Sequence, residues 1–225
     1  MLKYTFIFFG LLSVFGACTS QKIVQPLEDG ENQLSGNIGG PLIGFAGTTI
    51  PIPLTSINYA RGITDSLTFH TGIQTTSLIY KTLQLDAGVT YGFFIPNGWI
   101  PGLSASGSLN YLNDFRAPNF KIYPQIDLNA YWEYGELHFM YFGVTNWIEL
   151  SNIRAHDEDQ TKRILTGIQF GNTFSTPQNW NFTIESKWLA PTRNSKNLTI
   201  DYKTYSINNQ PKGAVGIYLG IAKRF

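Results

Sequence analysis

The sequence predicts an all-β fold, a closed antiparallel up-and-down β-barrel of about ten strands, within a range of about eight to twelve. Apolar and polar residues alternate with a period of two over most of the chain, and no segment has a convincing helical period. Charged residues make up 14% of the chain, whereas an ordinary soluble domain carries about 25%. The final segment alternates in the same way up to the terminal Phe225. These observations together favour a sheet with one apolar face.

The N-terminal residues have the pattern of a secretory signal peptide. Lys3 precedes an apolar run that reaches Phe15, and small residues follow the run. The run is too short for a membrane-spanning helix, which needs about 20 apolar residues. Residues 1–17 are therefore predicted to be a leader that is removed on export.

The residues around the only cysteine, Gly16-Ala17-Cys18, resemble the lipobox of bacterial lipoproteins. In that family the cysteine is acylated and becomes the mature N-terminus, so the resemblance implies lipidation at Cys18. Phe15 departs from the family pattern, because Leu, Val or Ile is usual there. The alternative is an ordinary signal peptide that contains an incidental cysteine.

Residues 18–32 are predicted to be the lipidated cysteine followed by a polar periplasmic tether, and residues 33–225 to be the barrel. The composition of the tether supports this division, because it includes Pro26, Glu28, Asp29, Gly30 and Glu31. Two strands interrupted by Gly and Pro are expected before Arg61. Eight more follow, over residues 67–74, 83–93, 103–111, 120–134, 137–149, 162–174, 180–190 and 213–225.

The predicted connections are short at one end of the barrel and long at the other, as in membrane barrels. Residues 62–66 and 134–136 form tight turns on the periplasmic side, where the chain enters. Residues 151–161 and 191–212 form the longest external loops. Residues 196–205 also look strand-like and are assigned to the last of these loops.

The apolar side chains are predicted to face outward to lipid, which makes the barrel transmembrane. The opposite set is rich in Gly, Ser, Thr, Asn and Gln, which suit a crowded lumen better than a solvated surface. Aromatic residues near the strand ends suit an interfacial girdle, and they are Tyr91, Phe93, Tyr111, Trp132, Tyr134 and Trp147. The alternative is a soluble lipidated ligand-binding barrel of the lipocalin type, with an apolar interior.

The closing strand carries a second resemblance. Ile217, Leu219, Ile221 and Phe225 resemble the C-terminal strand of Gram-negative outer-membrane proteins, which the barrel-assembly machinery reads. Lys223 departs from that pattern, because an apolar or aromatic residue is usual there. With its leader, the chain is similar to small lipidated outer-membrane β-barrel proteins. This resemblance implies a location in the cell outer membrane, contact with its lipid and lipopolysaccharide, and handling by the barrel-assembly and lipoprotein-export machinery.

Charged and histidine residues on the predicted inner face are expected to form a polar network across the lumen. Burying such groups without partners would be costly, so cross-strand pairing is expected. The alternative is a polar path for ions or small solutes. The predicted network comprises His70, Asp86, Lys121, Asp127, Glu133, His138, Glu185, Lys187 and Arg224.

No catalytic, cofactor or metal-binding pattern is found. Neither His70 nor His138 belongs to the His-x-Ser pair expected of a lipid A deacylase, and Gly102-Leu103-Ser104-Ala105-Ser106 lacks the last glycine of a nucleophile elbow. Residues 156–159, His-Asp-Glu-Asp, invite comparison with omptin proteases, but no facing Asp pair exists, so a solvated acidic loop is the simpler interpretation.

The sequence therefore predicts a non-catalytic outer-membrane lipoprotein that is a structural or accessory part of an envelope assembly, with an envelope protein as a possible partner. The alternatives are a narrow passive pore, a lipid-modifying enzyme or protease, and the soluble barrel described above. The net charge of +1 argues against nucleic-acid binding.

Overall fold

A computed structural model describes residues 23–116, 119–151, 163–194, 204–207 and 212–225. The elements, in chain order, are β1 (Asn32–Phe45), β2 (Thr48–Pro51), β3 (Leu54–Thr64), β4 (Leu67–Gln74), α1 (Thr75–Ile79), β5 (Thr82–Phe94), β6 (Gly102–Asp114), β7 (Asn119–Tyr134), β8 (His138–Ile148), β9 (Ile164–Ser175), β10 (Trp180–Asn194) and β11 (Lys212–Arg224). Among the described residues, no helix is both long and apolar enough to cross a lipid bilayer.

Ten strands form a closed antiparallel barrel, which confirms the predicted fold class. Each strand from β3 to β11 pairs with its neighbour in sequence, β1 pairs with β3, and β11 returns to pair with β1. The closing register runs from Gln33 opposite Arg224 to Pro41 opposite Gly216. The remaining strand, β2, is a short hairpin partner of the end of β1. Closure leaves the ring of ten strands without a free edge.

Strand β1 stops pairing with β3 at Gly39, a glycine that no other residue could replace without strain. Gly39 has a φ of +143°, and a Cβ atom there would lie within 3.0 Å of the backbone of Ile217 and Tyr218. The rest of β1 forms its hairpin with β2. Gly39 therefore marks the point where β1 leaves β3, while its pairing with β11 continues to Pro41.

Both described chain ends and the short connections lie at one end of the barrel, here called the turn end. The predicted turns within residues 62–66 and 134–136 are confirmed, because hairpins join β3 to β4 and β7 to β8 there. Residues 95–101 and 176–179 connect strands at the same end. The opposite end, here called the loop end, carries the longer connections.

The loop end differs in part from the prediction. Strand β10 continues to Asn194, with a register shift after Leu189. Residues 196–203 of the strand-like segment lie outside the described residues, while Thr204 bridges to Ile43 of β1. Helix α1 was not expected from the sequence, because a single turn of five residues shows no helical period. Its start is tied to β3, since the backbone amide of Thr55 donates to Thr76 Oγ1 at 2.8 Å.

Candidate functional site

The outer face of the barrel is apolar and the inner face is polar, as predicted. Adjacent residues in β7 show the contrast: Leu128 is 54% exposed and Asn129 is 4% exposed. Burial of the polar set in the lumen leaves the apolar set on the outside of the wall. The strands therefore do not enclose an apolar ligand cavity of the lipocalin type.

The apolar outer face has the height of a bilayer core. In β7 the outward residues between Phe120 and Trp132 are apolar, namely Ile122, Pro124, Ile126, Leu128 and Ala130. Phe120 and Trp132 lie twelve positions apart, which is about 40 Å along a strand and about 30 Å along the axis at a typical tilt. The hydrocarbon core of a bilayer is about 30 Å thick.

Aromatic side chains frame this face at the turn end. Tyr91 and Phe93 are exposed and contact each other edge to face, with ring centroids 5.1 Å apart. Trp132 Nε1 donates to the backbone oxygen of Trp99 at 3.2 Å, and the Trp99 side chain is 96% exposed. These rings are placed to meet the interface of a membrane.

The prediction that Trp147 belongs to the aromatic girdle is wrong. Trp147 is buried in the lumen, where it packs with Tyr123 and Leu112. In β8 the inward positions include the aromatic residues Phe139 and Tyr141, so apolar character does not identify the outward face of this strand. Trp147 is an even number of positions from Phe139 and Tyr141, so it faces the lumen as they do.

The main correction concerns the predicted tether of residues 18–32. Residues 23–31, here called the plug, enter the lumen from the turn end instead of hanging free. Ile23, Val24 and Leu27 are buried, and Leu27 is fully inaccessible. Val24 packs with Tyr131, Phe139 and Tyr141 of the lumen wall, while Ile23 and Leu27 pack with Ala60. Sequence analysis missed these three residues, because three apolar residues within a polar segment form no periodic pattern.

Hydrogen bonds fix the plug to the wall. The backbone amide of Leu27 donates to Thr68 Oγ1 at 2.8 Å, and Ser104 Oγ donates to the backbone oxygen of Val24 at 2.6 Å. Gln25 Nε2 donates to Glu133 Oε1 at 2.7 Å. This last contact places Glu133, a predicted network member, at the turn-end mouth of the lumen.

A buried ionic cluster lies in the lumen beyond the plug. Lys187 Nζ lies 3.3 Å from Glu185 Oε1, and both side chains are almost inaccessible. Tyr141 donates a hydrogen bond to the other carboxylate oxygen of Glu185. Lys187 Nζ also lies 5.5 Å from the ring centroid of Tyr218. The predicted pairing of these two network members is observed.

A second part of the network surrounds Asp127. Gln125 Nε2 donates to both carboxylate oxygens of Asp127, at 3.0 and 2.9 Å, and Asn110 Nδ2 donates to Gln125 Oε1 at 3.3 Å. The side chain of Gln125 therefore links β6 with the charged group of β7. Asp127 is buried by this arrangement.

His70 and Asp86 are buried on the inner face of neighbouring strands, as predicted. The register pairs His70 with Gly88 and Gly72 with Asp86, so the two side chains are diagonal neighbours. A Cβ atom at Gly88 would lie 2.8 Å from the His70 ring, so that glycine makes room for it.

The remaining network members lie near the mouths of the barrel or outside it. Arg224 Nε donates to Gln33 Oε1 at 3.3 Å, and its Nη1 lies 3.9 Å from Glu31 Oε2. Lys121 is half-buried near the loop end.

The assignment of His138 to the lumen is wrong. The alternation of β8 buries Phe139 and turns His138 outward. Its ring lies against Tyr134 and Phe174, at centroid distances of 5.6 and 5.8 Å. Its Nδ1 accepts a hydrogen bond from the backbone amide of Ser175 at 3.2 Å, so His138 caps the end of β9 from outside.

Ile217, Leu219 and Ile221 face outward along β11, and Phe225 is exposed at its end. This placement agrees with the predicted lipid-facing pattern. Cys18 and the segment of residues 156–159 lie outside the described residues. The described residues contain no group of three or more His, Cys, Asp or Glu side chains that could hold a metal ion.

A small polar cavity remains beside the plug. It has a volume of about 40 Å³ and lies between Ile23 and Val24 on one side and the wall of β1, β10 and β11 on the other. Its polar lining includes Ser35, Asn37 and Thr183. A cavity of this size has room for a few water molecules, which its polar lining can bind.

No protein-family model matches the chain, and no curated protein matches it. Solved β-barrel structures resemble it at low identity. The NanC porin is 8% identical over 85% of this chain and 98% of that chain, with a TM-score of 0.44. The translocator domain of the autotransporter NalP from Neisseria meningitidis is 8% identical over 96% and 93%, with a TM-score of 0.48. The outer membrane protein OprG from Pseudomonas aeruginosa is 9% identical over 90% and 99%, with a TM-score of 0.33. At these scores the fold assignment rests on the strand pairings of the chain itself.

Proposed function

We propose that this chain is a lipidated outer-membrane β-barrel with a closed lumen, and that it serves as a non-catalytic structural or accessory component of an envelope assembly. The observation that carries the proposal is the filling of the lumen. The plug packs into the turn end of the lumen, and the buried Glu185–Lys187 cluster lies beyond it. A barrel filled in this way offers a rigid wall to the membrane rather than a passage.

The proposed location is supported by the outer face. Apolar side chains cover a band about as tall as a bilayer core, and aromatic residues frame it. Such a face in water would be a very large exposed apolar patch, which soluble monomers avoid. Fractionation with outer membranes and heat-modifiable gel migration are the expected behaviour of the folded protein.

Planar-bilayer recordings test the closed lumen. We expect the purified, folded mature protein to insert without steady conductance, beside an open porin recorded in the same bilayer as a control. A Leu27→Asp variant, which loosens the plug, should also stay closed because the ionic cluster remains. Steady conductance of the unaltered protein would contradict the proposal.

The second candidate function is a narrow passive pore, which the polar lining of the lumen favours. Steady conductance of the unaltered protein would support this candidate, whereas conductance that appears only in the Leu27→Asp variant would show that the plug alone closes the lumen. Conductance in the variant alone would replace the proposed structural role with that of a pore that the plug gates.

The proposal includes lipidation at Cys18, which the lipobox-like residues support. Mass spectrometry of the mature N-terminal peptide should find Cys18 as the first residue and carrying acyl groups. A mature N-terminus at any other residue would contradict lipidation while leaving the barrel unaffected.

The proposal also holds that the chain is not an enzyme. His70 lies in the lumen and His138 faces outward, so these two histidines do not share a site. Replacing His70, His138 and His156 together by Gln should leave lipopolysaccharide composition and detergent resistance unchanged. A change in either, in cells with normal amounts of the folded variant, would favour a catalytic role.

A further inference from the structure

We infer that the turn-end half of the lumen is a binding cup for a short peptide segment, and that the plug is its intramolecular ligand. The plug does not resemble a strand of the barrel, because its contacts come from side chains and turns of several strands. Its binding surface is therefore built by β3, β4, β6, β7 and β8 without the plug itself. A site of this kind can hold a peptide that is not covalently joined to it.

The cup forms hydrogen bonds with the backbone of its ligand at several points. Thr68 accepts from the amide of Leu27, and Ser104 donates to the oxygen of Val24. Further along, the amide of Gly30 donates to the backbone oxygen of Gly62 at 3.1 Å, and the amide of Asp29 donates to Asp65 Oδ1 at 3.0 Å. Such contacts fix the bound segment in one register, as in other modes of peptide recognition.

Side-chain pockets supply the selectivity. Val24 fills an aromatic pocket of Tyr131, Phe139 and Tyr141, and Leu27 sits with Ile23 against Ala60. The ligand therefore carries apolar residues at its first, second and fifth positions. Acidic residues follow, and Glu31 lies 3.9 Å from Arg224 at the mouth.

Glycines in the cup wall allow the ligand to approach closely. A Cβ atom at Gly62 would lie within 3.0 Å of the backbone of Glu28, and one at Gly92 would lie 2.9 Å from Pro26 Cγ. The backbone of Glu28 cannot move aside as a flexible side chain can. A side chain at residue 62 therefore removes the site without altering the ligand.

A binding experiment in trans tests the cup. The mature chain carries Cys18→Ser and Leu27→Asp, which places a carboxylate in the apolar pocket and frees the plug. A fluorescently labelled synthetic peptide of residues 19–31 is titrated onto the folded variant in detergent micelles. We expect saturable binding, and binding at least about tenfold weaker for a peptide that carries the same Leu27→Asp change.

Matched variants sharpen the result. Adding Gly62→Val to the Leu27→Asp chain should abolish peptide binding, while adding Gly107→Ala should not, because Gly107 has no heavy atom within 4 Å of an added Cβ. Absence of peptide binding to a correctly folded Leu27→Asp chain, whose plug amides exchange at the rate of a free peptide, would overturn the inference. Equal binding of the two peptides would also overturn it.

Hydrogen exchange of the unaltered protein gives a second test that does not depend on a variant folding. The amides of Leu27 and Gly30 should be protected, because each donates to the cup. Exchange of both at the rate of a free peptide would show that the segment does not occupy the cup.

Discussion

Tyrosine rings lie flat against the lumen wall where glycines leave space for them. Tyr141 lies over Gly171, and Tyr131 lies over Gly102, so that an added Cβ at either glycine would come within 3.0 Å of the ring. Tyr141 also donates to Glu185, so its position controls the geometry of the ionic cluster. Gly171 thus leaves space for Tyr141, and Tyr141 in turn holds the Glu185 carboxylate in place.

Replacing Gly171 by Ala should lower the free energy of unfolding by about 1–3 kcal/mol, because Tyr141 must leave its place in a filled lumen. Urea unfolding in lipid vesicles, followed by tryptophan fluorescence, measures the change. Gly107→Ala is the control, since its Cβ would meet no heavy atom within 4 Å. Equal midpoints for the two variants would contradict the proposed contact.

Replacing Lys187 by Met should destabilise the barrel by about 3–5 kcal/mol, because it leaves the Glu185 carboxylate buried without its cation. Adding Glu185→Gln should restore part of the loss. A double-mutant cycle in the same unfolding assay gives the coupling energy. Additive effects of the two changes would mean that the pair does not interact.

At the scale of the strand, the depth of an outward position in the bilayer decides how much an arginine substitution there lowers the free energy of unfolding. Leu219 faces outward near the middle of β11, opposite Ile38 of β1. Leu219→Arg should cost about 2–4 kcal/mol in vesicles, since an arginine there meets hydrocarbon. Ile63→Arg is the matched control near the turn end, with an expected cost of about 0–1 kcal/mol. A Leu219→Arg cost no larger than that of Ile63→Arg would place β11 outside the bilayer.

The strands could be predicted from the sequence because each presents one face to lipid and one to the lumen. Alternation fails in β8, where Phe139, Tyr141 and Trp147 point inward and make both faces apolar. The outward position of His138 and the inward position of Trp147 therefore depend on the register with β7 and β9, which the alternation of β8 does not reveal.

The plug could not be predicted from local pattern for a different reason. Its burial depends on pockets that form only when strands far apart in sequence close into a ring. Ile23, Val24 and Leu27 are too few to form a periodic signal, and the residues around them are polar. The fold class and most of the lumen network were accessible from sequence, whereas the occupant of the lumen was not.

At the scale of the whole molecule, the closing seam and the plug meet at one place. Asn32 and Phe225 exchange backbone hydrogen bonds of 2.9 Å, and Arg224 lies beside Glu31 at the end of the plug. Closing the ring therefore fixes the residues that lead into the lumen. The turn end thus holds both the seam and the entry to the lumen, and the ring keeps polar groups inside and apolar groups outside.

Photo-crosslinking to lipid tests this arrangement most directly. The unaltered protein is reconstituted in vesicles whose lipids carry a diazirine in the acyl chain, and the crosslinked residues are identified by mass spectrometry. We expect adducts on outward residues such as Ile126, Leu128 and Leu219, and none on Asp127, Asn129 or Glu185. Adducts on the second set, with the first set free of them, would contradict the orientation of the sheet and the account built on it.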